Sequence, residues 1–596
     1  MKSNRPVFLA LILTSMNLSA ADSEITEQQP IIVTATKTAQ TADETIAPVI
    51  VIERSEIERN PNAAISDLLR MHAGIDVGRS GGPGQQTSIF IRGAESNHTL
   101  VMIDGVKINP GTIGTAAIQN IDLNMIERIE IVKGPRSTLY GSDAIGGVIN
   151  IITREGKEGS QYNIKAGYGS FNTRSLGVSA HNKMGDRAAG IDINIKKTDG
   201  YEIRTTSPLK RGYDNVSVHL YGKKRIGETD VQVSHWQSNG KTEYLDFFLT
   251  PLDQDYENSA TAVDVENNIT ETWFSKIKFS HALDKIDQNQ SVDFVHTVRD
   301  TIDWQNDIQI SDDQLLTSGI YLSNENTNAS VFGSKFNEDT LTKAIFIQDD
   351  ILIKSHHIIA GIRHTSHEYF GDHNTGSFDY SWQLSKPVKL FVGVATGFRS
   401  PDSTDRFGFA GNPDLLPEES ENKELGIQYT INKQQNMRVN YFDNKITNLI
   451  EYDLATNKML NIDSVQISGT EIEYQYKNKS WSVNASAIFQ KPENTATGEI
   501  LSRRSENTYT LAINHYKDSY NIGLDVLYTG ERDDSAYNSI VLKSYSLINM
   551  NATYQMSKHL SINGRIENLT DEEYELAATY RTLERSYYLE LVYNFD

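Results

Sequence analysis

Ile191-Asp-Ile-Asn-Ile-Lys196 carries an apolar side chain at every second residue. Successive side chains of a strand point to opposite faces, so this period of two gives one apolar and one polar face. The pattern recurs in both directions. Upstream, Tyr162, Ile164, Ala166 and Tyr168 alternate with Gln161, Asn163 and Lys165. Downstream, Ile472, Tyr474 and Tyr476 alternate with Glu471, Glu473 and Gln475, and Leu589, Leu591, Tyr593 and Phe595 close the chain. A soluble sandwich shows the same alternation, so one strand decides nothing. The length of the array and the 28 tyrosines, many near strand ends, favour a membrane barrel with interfacial aromatic girdles. Residues 156–596 fit about 22 antiparallel strands at about 20 residues per strand and loop, the size at which a lumen needs a plug. Polar stretches such as Asp253 to Asn268 read as loops between strands.

Composition agrees. The mean hydropathy of −0.45 is too polar for a helical membrane protein. It suits a barrel, whose strands show lipid only on alternate residues. The net charge of −22 argues against nucleic acid as a partner, because phosphate binding needs clustered Lys and Arg. Cysteine is absent, which excludes a disulfide framework and thiolate metal sites. The chain starts with basic Lys2 and Arg5, a short apolar run from Val7 to Leu13, and small residues at Ser19-Ala20-Ala21. That order reads as a signal peptide over residues 1–21, with cleavage after Ala20 or Ala21. The run is too short to span a membrane as a helix.

Residues 39–155 read differently, as a compact α/β domain. Ile65, Leu68 and Leu69 follow Pro61-Asn62 at helical spacing, and Gly74 ends that segment. Asp104-Gly105 sits between Leu100 to Ile103 and Val106 to Ile108, a strong two-residue hairpin signal. Arg92, Glu127, Arg128, Glu130, Lys133 and Arg136 lie among apolar runs, as expected of a domain facing a polar lumen rather than lipid. Before it, residues 22–38 form a polar leader containing Ile31-Ile-Val-Thr-Ala-Thr36, a β-prone run that a partner can take up as an added strand.

The order of signal, short β segment, compact domain and large barrel resembles the TonB-dependent outer-membrane receptors. The residues that carry the resemblance are Ile31 to Thr36 (Ile31, Ile32, Val33, Thr34, Ala35 and Thr36, the TonB box) and Ser88-Ile-Phe-Ile-Arg-Gly93. They continue with Val101-Met-Ile-Asp-Gly-Val-Lys-Ile-Asn109, Ile129-Glu-Ile-Val-Lys-Gly-Pro135, and Tyr140-Gly-Ser-Asp-Ala-Ile-Gly-Gly-Val-Ile-Asn-Ile-Ile-Thr153. In the barrel, Gly397-Phe-Arg-Ser-Pro401, Gly411-Asn-Pro-Asp-Leu-Leu-Pro417 and Asn568-Leu-Thr-Asp-Glu-Glu-Tyr574 also fit. The resemblance implies an all-β transmembrane barrel with an N-terminal α/β plug in its lumen, in the outer membrane of a Gram-negative bacterium. It implies TonB, with its inner-membrane ExbB–ExbD complex, as partner, and outer-membrane lipid and lipopolysaccharide as surroundings. A phage or bacteriocin is a further loop ligand within this class.

Within the family the chain is most similar to the cobalamin (vitamin B12) receptors. The short leader fits, as does Gly84-Gln-Gln-Thr-Ser-Ile-Phe-Ile-Arg-Gly93 followed by Asn97-His98. Matching by position implies cobalamin contacts at Gln86, Ser88 and Glu95 on the first plug loop, Thr112 and Ile113 on the second, and Arg503 and Tyr537 in the barrel. No cofactor is required. The resemblance admits calcium in early extracellular loops, with Glu202, Asp246 and Asp253 as ligands and Asp255 as a further donor. The basic residues of Pro208-Leu-Lys-Arg-Gly-Tyr213 oppose a full two-ion site. Asp596 is a second departure, since such barrels usually end on the aromatic, here Phe595.

The expected activity is therefore active import of cobalamin or a related corrinoid without covalent chemistry. A ferric-siderophore or haem receptor is the alternative. A barrel enzyme such as a protease or lipase is disfavoured by a plug that blocks its site, and a passive porin needs neither box nor plug.

Overall fold

The computed structural model describes residues 31–41, 45–535 and 539–595. The signal peptide, the leader before Ile31, Tyr537 and Asp596 lie outside the described residues. Antiparallel strands from Gly159–Gly169 to Ser586–Phe595 form a closed barrel of 22 strands. The last strand seals the first, Tyr162 pairing with Phe595 and Tyr168 with Leu589. Closure removes every sheet edge, as the hydrocarbon region demands. The alternation falls where the sequence places it. Asp192 and Asn194 are buried toward the lumen, whereas Ile193 and Ile195 are exposed on the outside, as are Leu589, Leu591, Tyr593 and Phe595.

One rim has short turns, such as those after strands Thr173–Met184, Ser207–Ile226 and Phe294–Ser311. The other carries the long connections 400–417, 495–506 and 568–585. The stretch from Asp253 to Asn268 is not a loop: it lies within strand Pro251–Thr270, which pairs on both sides. Its lumen-facing Asn258 and Asp264 are polar because the interior of the barrel is polar, and this gives the strand a loop-like composition.

The inner domain is built on a five-stranded sheet of Val49–Glu53, Ile126–Lys133, Gly147–Thr153, Thr99–Ile103 and Val106–Lys107, in that order. The pair Thr99–Ile103 and Gly147–Thr153 is parallel. At the Asp104-Gly105 turn both residues take positive φ, +49° and +78°, so the Asp-Gly signal is met by a tight hairpin. Helix Ile65–Leu69 matches the expected spacing, and the short helix Arg54–Arg59 before it is additional. A separate hairpin pairs Ile75–Arg79 with Thr87–Ile91.

Charge fixes this domain inside the barrel. Arg92 reaches Glu424 at 2.9 Å and Glu471 at 2.7 Å, and Lys133 lies 3.1 Å from both Glu471 and Glu473. Arg70 meets Glu567 at 2.9 Å. The polar face of the strand that alternates Glu471, Glu473 and Gln475 thus neutralises plug cations. Breaking one such buried pair costs about 3–5 kcal/mol, because it strands a charge away from water.

Candidate functional site

Two candidate functional surfaces lie one at each end of the plug. Toward the short-turn rim lies the segment Ile31 to Thr36. Ile31–Ile32 pairs antiparallel with Gln40–Thr41. The rest is tied to one buried carboxylate. Glu130 Oε2 accepts from the Val33 amide at 3.0 Å, the Thr34 amide at 2.9 Å and the Thr34 hydroxyl at 2.6 Å. Arg128 holds its other oxygen at 2.8 Å. The Tyr140 hydroxyl donates to the Thr34 carbonyl at 2.9 Å, and Asn150 donates to the Thr34 hydroxyl at 3.1 Å. Ile32, Thr34, Ala35 and Thr36 are buried. Beyond them, Lys37 pairs with Asp303 at 2.8 Å and Gln40 donates to Asp350 at 2.7 Å, both on the barrel wall. The run that a partner can take up as an added strand is folded away here. The amides of Val33 and Thr34 are already used, so strand donation through them requires that Glu130 let go.

Toward the long-loop rim, the first plug hairpin ends in residues 80–86. Gln86 is exposed and Ser88 half-buried. Ser88 pairs with Gly78, and a side chain on Gly78 would begin 3.8 Å from Arg503 Cδ, so Arg503 covers this hairpin. Arg503 is half-buried, with its Nε donating to Asp534 Oδ1 at 3.2 Å and its amide to the Asp533 carbonyl at 2.6 Å. Glu95 forms an ion pair with Arg504, whose guanidinium lies 4.3 Å from the Phe90 ring. The structure thus gathers Ser88, Glu95 and Arg503 on the side of loop 495–506.

Thr112 and Ile113 lie apart from that group. Thr112 is fully buried, its hydroxyl 3.0 Å from that of Thr297. The loop 400–417 covers it: the amides of Ser403 and Thr404 donate to the carbonyls of Gly111 and Thr112, both at 2.9 Å. Ile113 is half-buried. The covering loop is pinned by Arg399, which meets Glu418 at 2.8 Å, Asp402 at 2.9 Å and Asp405 at 3.1 Å. Burial and the adjacent Asp405 push Asp402 well above the ordinary carboxylate range. Below it, burial works to raise Asp143, but Lys107 at 2.5 Å and the Ser142 hydroxyl at 2.7 Å outweigh this and hold it low.

Calcium does not fit the residues expected to bind it. Asp246 accepts from the Thr250 amide at 2.7 Å within its own turn. Asp253 is shared by Lys241 at 3.8 Å and the Asn289 side chain. Glu202 pairs across the sheet with Lys210, in the basic stretch. Among the described residues no group of three metal-capable His, Cys, Asp or Glu side chains converges.

Two sets of residues escape a sequence reading. The hold on the box needs Glu130, Tyr140 and Asn150, which come from three separate segments. Only Glu130 leaves a trace, as a carboxylate inside the apolar run Ile129 to Val132. Ser403 and Thr404 leave none, because they act through backbone amides.

Comparison with known proteins agrees with this architecture. A family model described as TonB dependent receptor-like, beta-barrel, matches residues 156–569, and one described as TonB-dependent Receptor Plug Domain matches residues 41–148. The chain is 28% identical over 606 residues to a vitamin B12 transporter, BtuB, of Photobacterium profundum, covering 99% of each chain. It is 28% identical over 602 residues to that of Vibrio vulnificus, covering 97% of this chain and 96% of the other. A solved mutant of the ferric enterobactin receptor PfeA of Pseudomonas aeruginosa shares the fold, with TM-score 0.81 at 18% identity over 95% of this chain and 100% of that one. The chain belongs to the TonB-dependent receptor family and is an outer-membrane barrel for TonB-coupled transport of a ligand.

Proposed function

We propose that this receptor imports cobalamin or a related corrinoid. The observation that carries the reading is similarity along the whole chain, plug and barrel together, to proteins named as vitamin B12 transporters. The likeness to a ferric enterobactin receptor concerns the fold alone. A corrinoid is large and rimmed with amides, and it needs polar donors beside apolar surface. Gln86, Ser88 and Arg503 supply such donors around the first plug hairpin, and Glu95 supplies an acceptor. Tyr537, outside the described residues, is a further contact by sequence match alone, and Thr112 and Ile113 join once loop 400–417 lifts.

Cargo bound there shifts the plug toward a state in which Glu130 releases Val33 and Thr34, by as much as the cargo prefers that state. TonB, driven by ExbB–ExbD, then pairs with Ile31 to Thr36 and draws on the plug. The test is equilibrium binding to the purified receptor of cyanocobalamin, a ferric catecholate siderophore and haem. Saturable binding of cyanocobalamin alone supports the reading. Binding of the ferric siderophore or haem instead replaces it with the alternative.

A further inference from the structure

Between plug and barrel wall lies a cavity of about 860 Å³, its open mouth included. Lys107 and the turn 140–143 bound it on the plug side, Tyr321, Thr342 and Arg363 on the wall, and loop 400–417 above. Its cations are not treated alike. Lys107 has Asp143, Arg299 has Glu325, and Arg399 has Asp402, Asp405 and Glu418, while the half-buried Arg406 rests on the Tyr369, Phe370 and Phe407 rings. Arg363 is 2% exposed, yet among the described residues no carboxylate oxygen comes within 4.0 Å of it.

Neutral groups occupy part of its fork. Nε donates to the Thr365 hydroxyl at 3.0 Å and Nη1 to the Leu139 carbonyl at 3.3 Å, while the Tyr321 ring lies 5.3 Å from the guanidinium. Nη2 has no acceptor among the described residues. It faces Gly141, where a Cβ would sit 3.1 Å away, and the φ of +80° there also favours glycine. Asp303, the nearest acid to act on it, is already paired with Lys37; a buried guanidinium with no carboxylate in contact is costly, and its planar donors suit an oxyanion. We propose that Arg363, with the hydroxyls of Tyr321 and Thr342 around the same cavity and the space left by the missing side chain of Gly141, is an oxyanion site inside the lumen, taking a phosphate or phosphodiester.

The site lies below loop 400–417 and beside the plug. Cobalamin carries one phosphodiester, and cobinamide lacks it. For the identity of the cargo this inference rests on the cobalamin reading; for the site itself it does not.

Two arms test it. In the first, inorganic phosphate is titrated against the purified full-length receptor in phosphate-free detergent buffer, and its 31P linewidth is followed. Saturable broadening at about 1–10 mM is expected for wild type and for the control Arg225→Gln, and its loss for Arg363→Gln. Arg363→Lys keeps the charge and is expected to keep broadening, which guards against loss through misfolding. No broadening in wild type, or equal broadening in Arg363→Gln, overturns the site. In the second arm, cells expressing each variant import cyanocobalamin or dicyanocobinamide. Arg363→Gln is expected to slow cyanocobalamin import by roughly fivefold to tenfold, the scale of one charge-assisted contact, with surface binding and cobinamide import unchanged. Equal slowing of both cargoes overturns the cargo role and leaves Arg363 a strut for the Ser137–Tyr140 helix. Failure of wild type to bind either corrinoid defeats the cobalamin reading, while the phosphate arm still decides the site.

Discussion

Asp76 is a carboxylate that the fold has made expensive to ionise. It lies in the first plug hairpin, facing the Ser505 amide and the Gln490 side chain at 3.4 Å each. Burial pushes it up to about 6 from 3.8, and Arg532 and Arg504 offset this only in part. The folded protein therefore holds a proton that the unfolded chain gives up. Stability falls as pH rises from about 4 to about 6, and above 6 the loss is complete, at most about 3 kcal/mol. Asp76→Asn keeps both acceptor contacts without the charge. It is expected to raise the unfolding temperature above wild type at pH 7.5 and to match wild type at pH 4. An equal difference at both values would assign the effect to packing. Arg503 makes the complementary case at the proposed ligand face. Arg503→Ala is expected to weaken cyanocobalamin binding by about 1–3 kcal/mol through lost polar contacts. Barrel insertion should be unchanged, because the residue lies in the loop 495–506. Unaltered affinity in equilibrium binding would remove it from the site.

The same logic extends to the element that couples the two faces. The segment Ile31 to Thr36 is β-prone, yet in the resting molecule its amides serve Glu130 rather than a partner strand. Glu130→Gln weakens charge-assisted bonds worth about 1.5–3 kcal/mol. Hydrogen exchange at Val33 and Thr34 should then quicken by about one to two orders of magnitude, with barrel strands unaffected. Unchanged protection would show that Tyr140 and Asn150 suffice to hold the segment. Val33→Pro acts on the other state. It removes an amide and bars ladder pairing with TonB, so transport should be lost while ligand affinity stays at the wild-type value. Import at the normal rate would contradict strand pairing. The β-prone character of this element was legible in its sequence. Its burial was not, because the hold depends on a carboxylate about a hundred residues away, a distance at which periodicity carries no information.

At the scale of the whole molecule, the barrel was legible because lipid and lumen impose one alternating rule on every strand, from Ile164 to Tyr593. Strand Pro251–Thr270 escaped only where its faces are both polar. The plug's charges were legible as lumen-facing because Arg92 and Lys133 interrupt apolar runs, but their partners Glu471 and Glu473 emerge only once the strands are closed into a ring. The contact of loop 400–417 with Thr112 was hidden, since backbone amides of any residue type can make it. This division of labour has a mechanical consequence. The barrel closes through its own backbone ladder and its own lipid-facing stripe, and among the described residues no ladder bond joins it to the plug sheet. The plug is held by side-chain pairs such as Arg92–Glu424 and Lys133–Glu471. Deleting residues 31–155 should therefore leave a chain that inserts and closes. The freed Glu424, Glu471 and Glu473 would then line a wet lumen, where they are solvated rather than stranded, so their loss of partners is tolerable. Planar bilayers containing the deletion variant should show large, steady, non-selective conductance, with a cation preference from those carboxylates, while the full chain stays closed. Insertion without increased conductance would mean that loops such as 400–417 close the barrel unaided.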